Sequence, residues 1–284
     1  WPTDQREDDG GSLVWMTPPL EERVEILGAP RLRLRVASDK PLALVAARLC
    51  DVAPDGTSTR VTLGMLNLTH HAGHDRPQAL TPGAPVEVVV ELDDIAHAFP
   101  PGHRIGLSLS SVYWPIAWPS PELATLTLDL GATELVLPRR SPRAEDAQLR
   151  PFDPPEMAPE SPVIDHPVTP AHPRRVTRDL LSGRITVDFP RWCYDHEFPD
   201  IGIRQASEGH ARYEITDGDP LSAMMETSYR VVQTRADGVF THDSCSRMTC
   251  DEKVFHIWAE TVIRENGIEI ARQEWSEDIP RDHL

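Results

Sequence analysis

The sequence has few of the residues that cross-link small secreted domains, and it has no long apolar segment. It holds four cysteines among 284 residues, and the irregular spacing of Cys50, Cys193, Cys245 and Cys250 matches no disulfide framework. A chain of this length can bury a sizeable core without such cross-links. No apolar run approaches the roughly 20 residues that a membrane-spanning helix needs. We therefore expect free thiols in a soluble, cytoplasmic protein.

The N-terminus lacks an initiator methionine, and it lacks the basic and then apolar pattern of a secretory signal peptide. Because the sequence starts at Trp1, we expect it to be a piece of a longer polypeptide.

Positive charge is scarce in this chain. It has 45 acidic and 28 basic residues, which gives a formal net charge of −17. Such a chain repels the phosphate backbone of DNA and RNA. We therefore expect no nucleic-acid partner.

Proline is the residue in excess. Its 28 copies, against 16 glycines, are about twice the ordinary usage, and proline interrupts helices. The segment 31–36 alternates arginine with Leu32, Leu34 and Val36, which is the pattern of a half-buried strand. Similar segments, separated by proline and glycine turns, lie at 42–52, 59–68, 86–91, 104–111, 123–130 and 133–137. About eight short strands within residues 1–140 predict an antiparallel β-sandwich of the jelly-roll type.

Two further regions follow residue 140. Ten prolines lie between positions 138 and 173, so we interpret residues 141–173 as a stiff linker or a surface strap. Residues 174–284 alternate apolar and polar side chains again, with hairpin signals at 237–238 and 266–267. We expect a four-stranded antiparallel meander in residues 222–276. The predicted fold class is therefore all-β, a jelly-roll β-sandwich followed by a second antiparallel β-rich module.

No segment carries a recognisable catalytic motif. The nearest match to the hydrolase nucleophile elbow, Gly-x-Ser-x-Gly, is the string around Ser108, which lacks the second glycine and lies in a predicted strand. An outward-facing strand hydroxyl is the simpler interpretation of Ser108. The sequence also has no glycine-rich phosphate loop of the Walker or dinucleotide type. We therefore assign no catalytic residue and expect no cofactor.

Histidines and cysteines form two groups with the residue types of metal ligands. The first is His70, His71 and His74, which could bind a divalent metal or could belong to a polar loop. The second includes Cys245 and Cys250, whose spacing of five residues places them on opposite faces if both lie on one strand. We expect a polar loop and unreactive thiols, with no metal.

The segment 110–121 is unusual in its aromatic content. It combines Tyr113, Trp114 and Trp118 with three prolines. Aromatic side chains in a proline-rich loop can line a ligand pocket or an interface, or they can plug the end of a sandwich from inside. Both interpretations stay open from the residues alone.

Several short motifs follow one another in order within residues 12–140. They are Gly-Ala-Pro-Arg-Leu at 28–32, Leu-Cys-Asp-Val-Ala-Pro-Asp-Gly at 49–56, Pro-Pro-Gly-His-Arg at 100–104 and Ser-Ser-Val-Tyr-Trp-Pro at 110–115. Together they resemble the C-terminal, galactose-binding-like jelly-roll domain of the X-Pro dipeptidyl-peptidase and cocaine-esterase-like (CocE/NonD) hydrolases. The last motif departs from the family pattern, because Trp114 stands where Phe is usual and the following Arg and Asn-Pro are replaced.

This resemblance implies a non-catalytic role for the chain. In such bacterial serine hydrolases the Ser-Asp-His triad lies on an α/β-hydrolase domain that precedes the jelly roll, and no triad residue can be carried over to this sequence. The implied partners are that missing catalytic domain and a small ester or peptide substrate of the parent esterase or dipeptidyl-peptidase. The jelly roll would pack on the catalytic domain and wall the substrate pocket. The candidate pocket or domain-interface residues are Leu44, Val45, Tyr113, Trp114 and Trp118.

Other functions and assemblies also stay open. A carbohydrate- or ligand-binding β-sandwich could use Tyr113, Trp114 and Trp118 as a stacking platform. A metal-dependent enzyme would use the histidines at 70–74. An acidic surface with aromatic loops is compatible with a homo-oligomer and does not require one.

Overall fold

The chain forms two compact units built almost entirely from antiparallel strands. The computed structural model describes residues 4–159, 162–168, 174–189 and 192–284. Within these ranges strands dominate and helical segments span at most five residues, which confirms the all-β fold class. The two units are residues 1–151 with 283–284, called unit 1, and residues 152–282, called unit 2.

The described residues of unit 1 form ten strands and a few short helical turns. The strands are β1 (Leu13–Met16), β2 (Val24–Gly28), β3 (Arg31–Ser38), β4 (Leu44–Val52), β5 (Ser58–Asn67), β6 (Val86–Glu91), β7 (Ile95–Phe99), β8 (Arg104–Ser110), β9 (Leu126–Leu128) and β10 (Glu134–Val136). The helical segments are α1 (Arg6–Asp9) and the 3-10 turns Leu68–His70, Leu130–Ala132 and Ala144–Gln148.

Two sheets of unit 1 enclose one hydrophobic core. One sheet has the order β1-β8-β4-β5, and the other has the order β10-β3-β6 with β9 also paired to β3. Along β3 the side chains of Leu32, Leu34 and Val36 are buried, while the arginines between them are exposed. These residues pack in one cluster with inward side chains of β4, β6 and β8. The sandwich therefore follows from the period-two alternation that the sequence displays.

Some strands of unit 1 differ from the prediction. The strand predicted at 123–130 is short, because the side chain of Asp129 accepts a hydrogen bond from the Gly131 amide and begins a 3-10 turn. Strands β1, β2 and β7 were not predicted. Each has four or five residues, which is too short for a pattern of alternation to stand out.

The described residues of unit 2 form nine strands in one sheet. The strands are β11 (Ile164–Asp165), β12 (Arg175–Arg178), β13 (Arg184–Asp188), β14 (Trp192–Phe198), β15 (Ile203–Thr216), β16 (Asp219–Arg235), β17 (Gly238–Cys250), β18 (Val254–Glu265) and β19 (Ile268–Pro280). The main order is β11-β14-β15-β16-β17-β18-β19, with β13 paired to β15 and β12 to β13. A 3-10 turn, Pro199–Ile201, connects β14 to β15.

The last four strands of unit 2 form an antiparallel meander. Strands β16 to β19 are consecutive antiparallel neighbours. At the turn before β19, Asn266 and Gly267 have φ of 52° and 83°, the left-handed geometry that makes Asn-Gly a strong hairpin signal. Of the predicted linker 141–173, residues 160–161 and 169–173 lie outside the described residues, and the division between the units falls after residue 151.

No helix in the described ranges is both long and apolar enough to span a lipid bilayer.

Two chain segments of unit 1 approach each other closely at Gly64. It lies in β5, and a Cβ atom there would come within 2.9 Å of the Leu92 Cα atom and even closer to the carbonyl oxygen of Glu91. Backbone atoms cannot rotate away as a side-chain tip can. A side chain at position 64 would therefore push β5 away from the end of β6.

We predict that Gly64→Ala destabilises the protein through this clash. The free energy of unfolding should fall by about 1–3 kcal/mol, measured by urea denaturation. The matched control is Gly11→Ala, because a Cβ at Gly11 meets nothing nearer than the Asp8 carbonyl oxygen at 3.9 Å. It should change stability by less than about 0.5 kcal/mol, and equal effects of the two substitutions would contradict the predicted contact.

Candidate functional site

The aromatic loop of unit 1, residues 111–121, follows β8 directly. Its first turn is held locally: the Ser110 hydroxyl donates to the Val112 carbonyl at 2.8 Å, and the Ala117 amide donates to the Tyr113 carbonyl at 2.9 Å. The Trp114–Pro115 peptide bond is cis. The loop is therefore a folded turn with its own hydrogen bonds rather than an extended connection.

Two arginines fasten Tyr113 to the sheet below the loop. The Arg60 guanidinium donates to the Tyr113 hydroxyl at 2.8 Å, and the Arg48 guanidinium lies over the tyrosine ring, 5.2 Å from its centroid. Arg60 belongs to β5 and Arg48 to β4. A cation over an aromatic face and a charge-assisted hydrogen bond are both favourable, so the start of the loop is held by two neighbouring strands.

The two tryptophans of the loop pack against each other. The indole rings of Trp114 and Trp118 meet edge to face, with centroids 5.2 Å apart and an interplanar angle of 80°. Both side chains are half-buried, whereas Ile116 between them is 52% exposed. The loop therefore combines a fixed aromatic pair with an apolar side chain that reaches solvent.

The buried side chain of Arg48 contacts both the aromatic loop, through Tyr113, and the N-terminal segment. Its side chain is 2% exposed, and its guanidinium lies 3.1 Å from the Asp8 carboxylate and 3.0 Å from that of Asp9. It also donates to the Ser12 hydroxyl at 2.9 Å. The ion pairs hold the N-terminal segment, including α1, against the outer face of β4.

Ser108 belongs to the same cluster and is not poised as a nucleophile. It was expected to face outward on its strand, yet the N-terminal segment covers it, so its exposure is 1%. Its hydroxyl donates to the Asp9 carboxylate at 2.7 Å. A hydroxyl that is buried and bonded to a carboxylate has no general base of the kind that activates a catalytic serine.

The structure places Leu44 and Val45 at the start of β4. Ala46 pairs with Ser110, so this end of β4 lies beside the end of β8 where the aromatic loop begins. Val45 is 1% exposed and packs in the core, while Leu44 is half-buried. Of the two, Leu44 is the one with surface to offer a ligand or a partner.

A carboxylate between two imidazoles is the cluster that the sequence did not reveal. Asp51 of β4 lies 2.7 Å from His103 Nδ1 and 3.1 Å from His97 Nε2, and its side chain is 12% exposed. His97 and His103 lie 46 and 52 positions after Asp51 along the chain, so no local motif links either of them to Asp51. Among the described residues, neither imidazole has a hydroxyl or thiol as a hydrogen-bond partner. The cluster joins β4 to β7 and to the turn before β8.

In the described residues, neither of the two groups considered as metal ligands brings three ligand side chains together. His70 Nδ1 and His74 Nδ1 lie 2.9 Å apart, whereas His71 Nδ1 faces the Leu68 carbonyl at 3.0 Å. None of the four cysteines forms a disulfide bond in the described part of the chain. Across the described ranges no three or more His, Cys, Asp or Glu side chains are grouped to hold a metal ion.

Comparison with known proteins bears on unit 1. Residues 1–151, more than half of the chain, match the family model described as the X-Pro dipeptidyl-peptidase C-terminal non-catalytic domain. This chain belongs to that family. The resemblance noted from the sequence motifs is thereby confirmed, and residues 1–151 are the non-catalytic C-terminal domain that the family description names. The match ends at residue 151, which is also the last residue of unit 1 before unit 2 begins along the chain.

Two curated relatives match part of the chain. The cocaine esterase of Rhodococcus sp. (strain MB1 Bresler) is 31% identical over 116 residues, 40% of this chain and 20% of that protein. A protein named as an Xaa-Pro dipeptidyl-peptidase in Rhodopirellula baltica is 29% identical over 133 residues, 44% of this chain and 21% of that protein. The chain thus spans about a fifth of the length of these relatives.

Two solved structures resemble about half of the chain. An α-amino acid ester hydrolase is 24% identical with a TM-score of 0.47, covering 49% of this chain and 27% of that one. An aminopeptidase from a marine sediment thaumarchaeote is 22% identical with a TM-score of 0.47, covering 49% and 28%.

We predict that Arg48→Met destabilises the family domain strongly. The substitution leaves the carboxylate of Asp9 buried without its cation, so the free energy of unfolding should fall by about 3 kcal/mol or more, measured by urea denaturation. The control is Arg33→Met, because the ion pair of Arg33 with Glu134 is exposed and should contribute less than about 1 kcal/mol. Similar losses for both variants would disprove the anchoring role of Arg48.

We also predict that Cys50 is protected from alkylation in the native protein. Burial raises the pKa of its thiol, and the reactive species is the thiolate. Native chain treated with iodoacetamide should carry label on the half-buried Cys193 before Cys50, as read by peptide mass spectrometry, and urea should abolish the difference. Early labelling of Cys50 would contradict its place in the sheet.

Proposed function

We propose that unit 1 is the accessory domain of a serine hydrolase that cleaves small esters or peptides, and that its aromatic loop forms part of the substrate-pocket wall. The observation that carries the proposal is the family match over residues 1–151. The matched relatives are by name an esterase and a dipeptidyl-peptidase. In this proposal the acylated serine belongs to a catalytic domain outside this chain.

The construction of the loop supports a pocket wall. Tyr113 is fastened by Arg48 and Arg60, and the indoles of Trp114 and Trp118 brace each other. A wall of pre-positioned aromatic side chains binds an apolar group of a substrate without ordering flexible chain first. Leu44, at the adjacent start of β4, extends the same apolar surface.

The chemistry available in the described residues supports an accessory role as well. Acyl transfer by a serine needs a hydroxyl bonded to an imidazole that a carboxylate orients. In unit 1 the buried Ser108 hydroxyl bonds to Asp9, and the imidazoles bonded to Asp51 have no hydroxyl partner. Unit 1 thus contains a carboxylate, imidazoles and a hydroxyl, but in its described residues the hydroxyl is not hydrogen-bonded to an imidazole, as acyl transfer requires.

The carbohydrate-binding alternative finds less support in the loop. A stacking platform presents an open aromatic face to a sugar ring. The indoles of Trp114 and Trp118 are nearly perpendicular, at 80°, and the edge of one ring packs on the other. We therefore favour the pocket wall.

The test is kinetic and uses the full-length polypeptide with its catalytic domain. Trp114→Ala and Trp118→Ala should each raise KM for a bulky aryl ester by roughly tenfold, since burial of a large aromatic contact is worth about 1.5 kcal/mol or more. Labelling of the active-site serine by a small fluorophosphonate should stay unchanged. The control is Phe152→Ala, because Phe152 is fully exposed and lies outside the loop.

Two results would overturn this function. One is fluorophosphonate labelling of the 284-residue chain by itself at a residue within residues 1–151. The other is unchanged KM in both tryptophan variants, which would remove the loop from the pocket. Binding of the chain to a glycan array, lost in Trp114→Ala, would establish the carbohydrate-binding alternative instead.

A further inference from the structure

The outer edge of unit 2 is a long strand with a free side. Strand β19 ends the sheet order, and its pairing with β18 runs from Pro280 opposite Val254 to Ile268 opposite Glu265. All 13 residues of β19 are exposed. In the described part of the chain no strand pairs with its other side, so that side presents unpaired backbone amides and carbonyls.

Edge strands are usually protected against pairing with another chain. The common devices are short length, charged side chains with lysine foremost, a central proline or a bulge. Strand β19 is long and has no lysine, its proline is the terminal Pro280, and its register shift lies near its start, opposite Ile263 and Arg264. It does carry one arginine and four acidic residues, and these two signs of charge can pair with each other across a second copy of the strand. The residues 271–279 after that shift form a regular nine-residue edge.

We propose that β19 pairs antiparallel with β19 of a second copy of this chain, about a two-fold axis at Trp275, so that two unit 2 sheets join into one. The proposal is independent of the function proposed for unit 1. It commits to one partner and one register, because the charges along the strand exclude the neighbouring registers.

Symmetry limits the registers that such a pair can take. Two antiparallel strands related by a two-fold axis perpendicular to the sheet place one residue directly opposite itself. Residues opposite each other point to the same face of the sheet. The pairing is therefore described by the residue on the axis, and only the central positions from Arg272 to Ser276 allow a substantial overlap.

Each of the other four axes places like charges opposite each other, although the axis at Gln273 also pairs Arg272 with Glu274. An axis at Arg272 or at Glu274 places that residue opposite its own copy. An axis at Gln273 places Glu269 opposite Glu277, and an axis at Ser276 places Glu274 opposite Asp278. Like charges directly opposite each other destabilise a strand pair.

The axis at Trp275 gives complementary pairs instead. Arg272 then lies opposite Asp278 of the second copy, and symmetry makes this pair twice. Ala271 lies opposite Ile279 of the second copy, also twice, and the two Trp275 side chains meet at the axis. Opposite charges and aromatic or aliphatic pairs across strands are favourable.

The apolar partners in this register lie on one face of the sheet and are poorly covered. Trp275 pairs with Ala259 of β18, and Ile279 pairs with Phe255. Trp275 and Ile279 point to the same face of the sheet, because they are an even number of residues apart on one strand. Trp275 is 49% exposed and Ile279 is 46% exposed. Pairing of the two β19 edges would shield the Trp275 and Ile279 side chains from water. The sheet of one chain by itself leaves them exposed.

The first test is disulfide cross-linking in the full 284-residue chain, in a background with Cys193→Ser and Cys245→Ser. In Trp275→Cys the two cysteines face each other with Cα atoms about 4.5–5.5 Å apart, inside the range of a disulfide. Mild oxidation should yield a covalent dimer that thiols reverse. In the control Gln273→Cys the two cysteines are about 14 Å apart, and no dimer should form.

The second test is charge reversal, read by sedimentation velocity of the otherwise native chain. Arg272→Asp should raise the dimer dissociation constant by roughly tenfold, because two attractive pairs become repulsive, and Asp278→Arg should do the same. The double variant should restore dimerisation. Within one chain Arg272 pairs with Glu260 and Glu269, and Asp278 with His256; the double variant breaks these contacts too, so a purely local role predicts no rescue.

Three results would overturn the proposal directly, and a fourth, given last, would do so by moving the interface. The first three are a chain that stays monomeric up to its solubility limit, cross-linking of Gln273→Cys equal to that of Trp275→Cys, and a double charge variant no better than the single variants. A dimer that survives both single charge reversals would place the interface elsewhere.

Discussion

The buried guanidinium of Arg48 is the contact on which the organisation of unit 1 depends. A charged group with 2% exposure is tolerated because two carboxylates, a hydroxyl and an aromatic face compensate for its lost hydration. These partners come from the N-terminal segment and from the aromatic loop, two parts of the chain about a hundred residues apart. One side chain of β4 therefore decides where both of them lie on the sheet.

That dependence links stability to the proposed function. If the loop is a wall of a substrate pocket, its position relative to the sheet must be fixed within a fraction of an ångström. Tyr113 receives contacts from β4 and β5, and the tryptophans are braced on each other. In its described residues the family domain has no connected nucleophile, base and carboxylate, and its aromatic loop carries a braced pair of indoles.

Unit 2 follows a different plan. Its described strands form one sheet, in which β15 to β19 have 12 to 17 residues each, and its ion pairs run across neighbouring strands, as between Arg247 and Glu226 or Arg264 and Asp243. The family match ends before unit 2 begins. The order of the described strands ends at β19, which is the condition under which an edge strand can acquire a partner.

The sequence by itself determined the strand pattern of β3, the Asn-Gly hairpin before β19, the meander of unit 2 and the family of residues 1–151. These features are local in the chain, because alternation and turn preference act between near neighbours. Only the tertiary structure decided that Val45 is core, that Ser108 is covered and that Asp51 joins two histidines. Each of those outcomes depends on segments distant in sequence that meet across a sheet, and no local pattern records such a meeting.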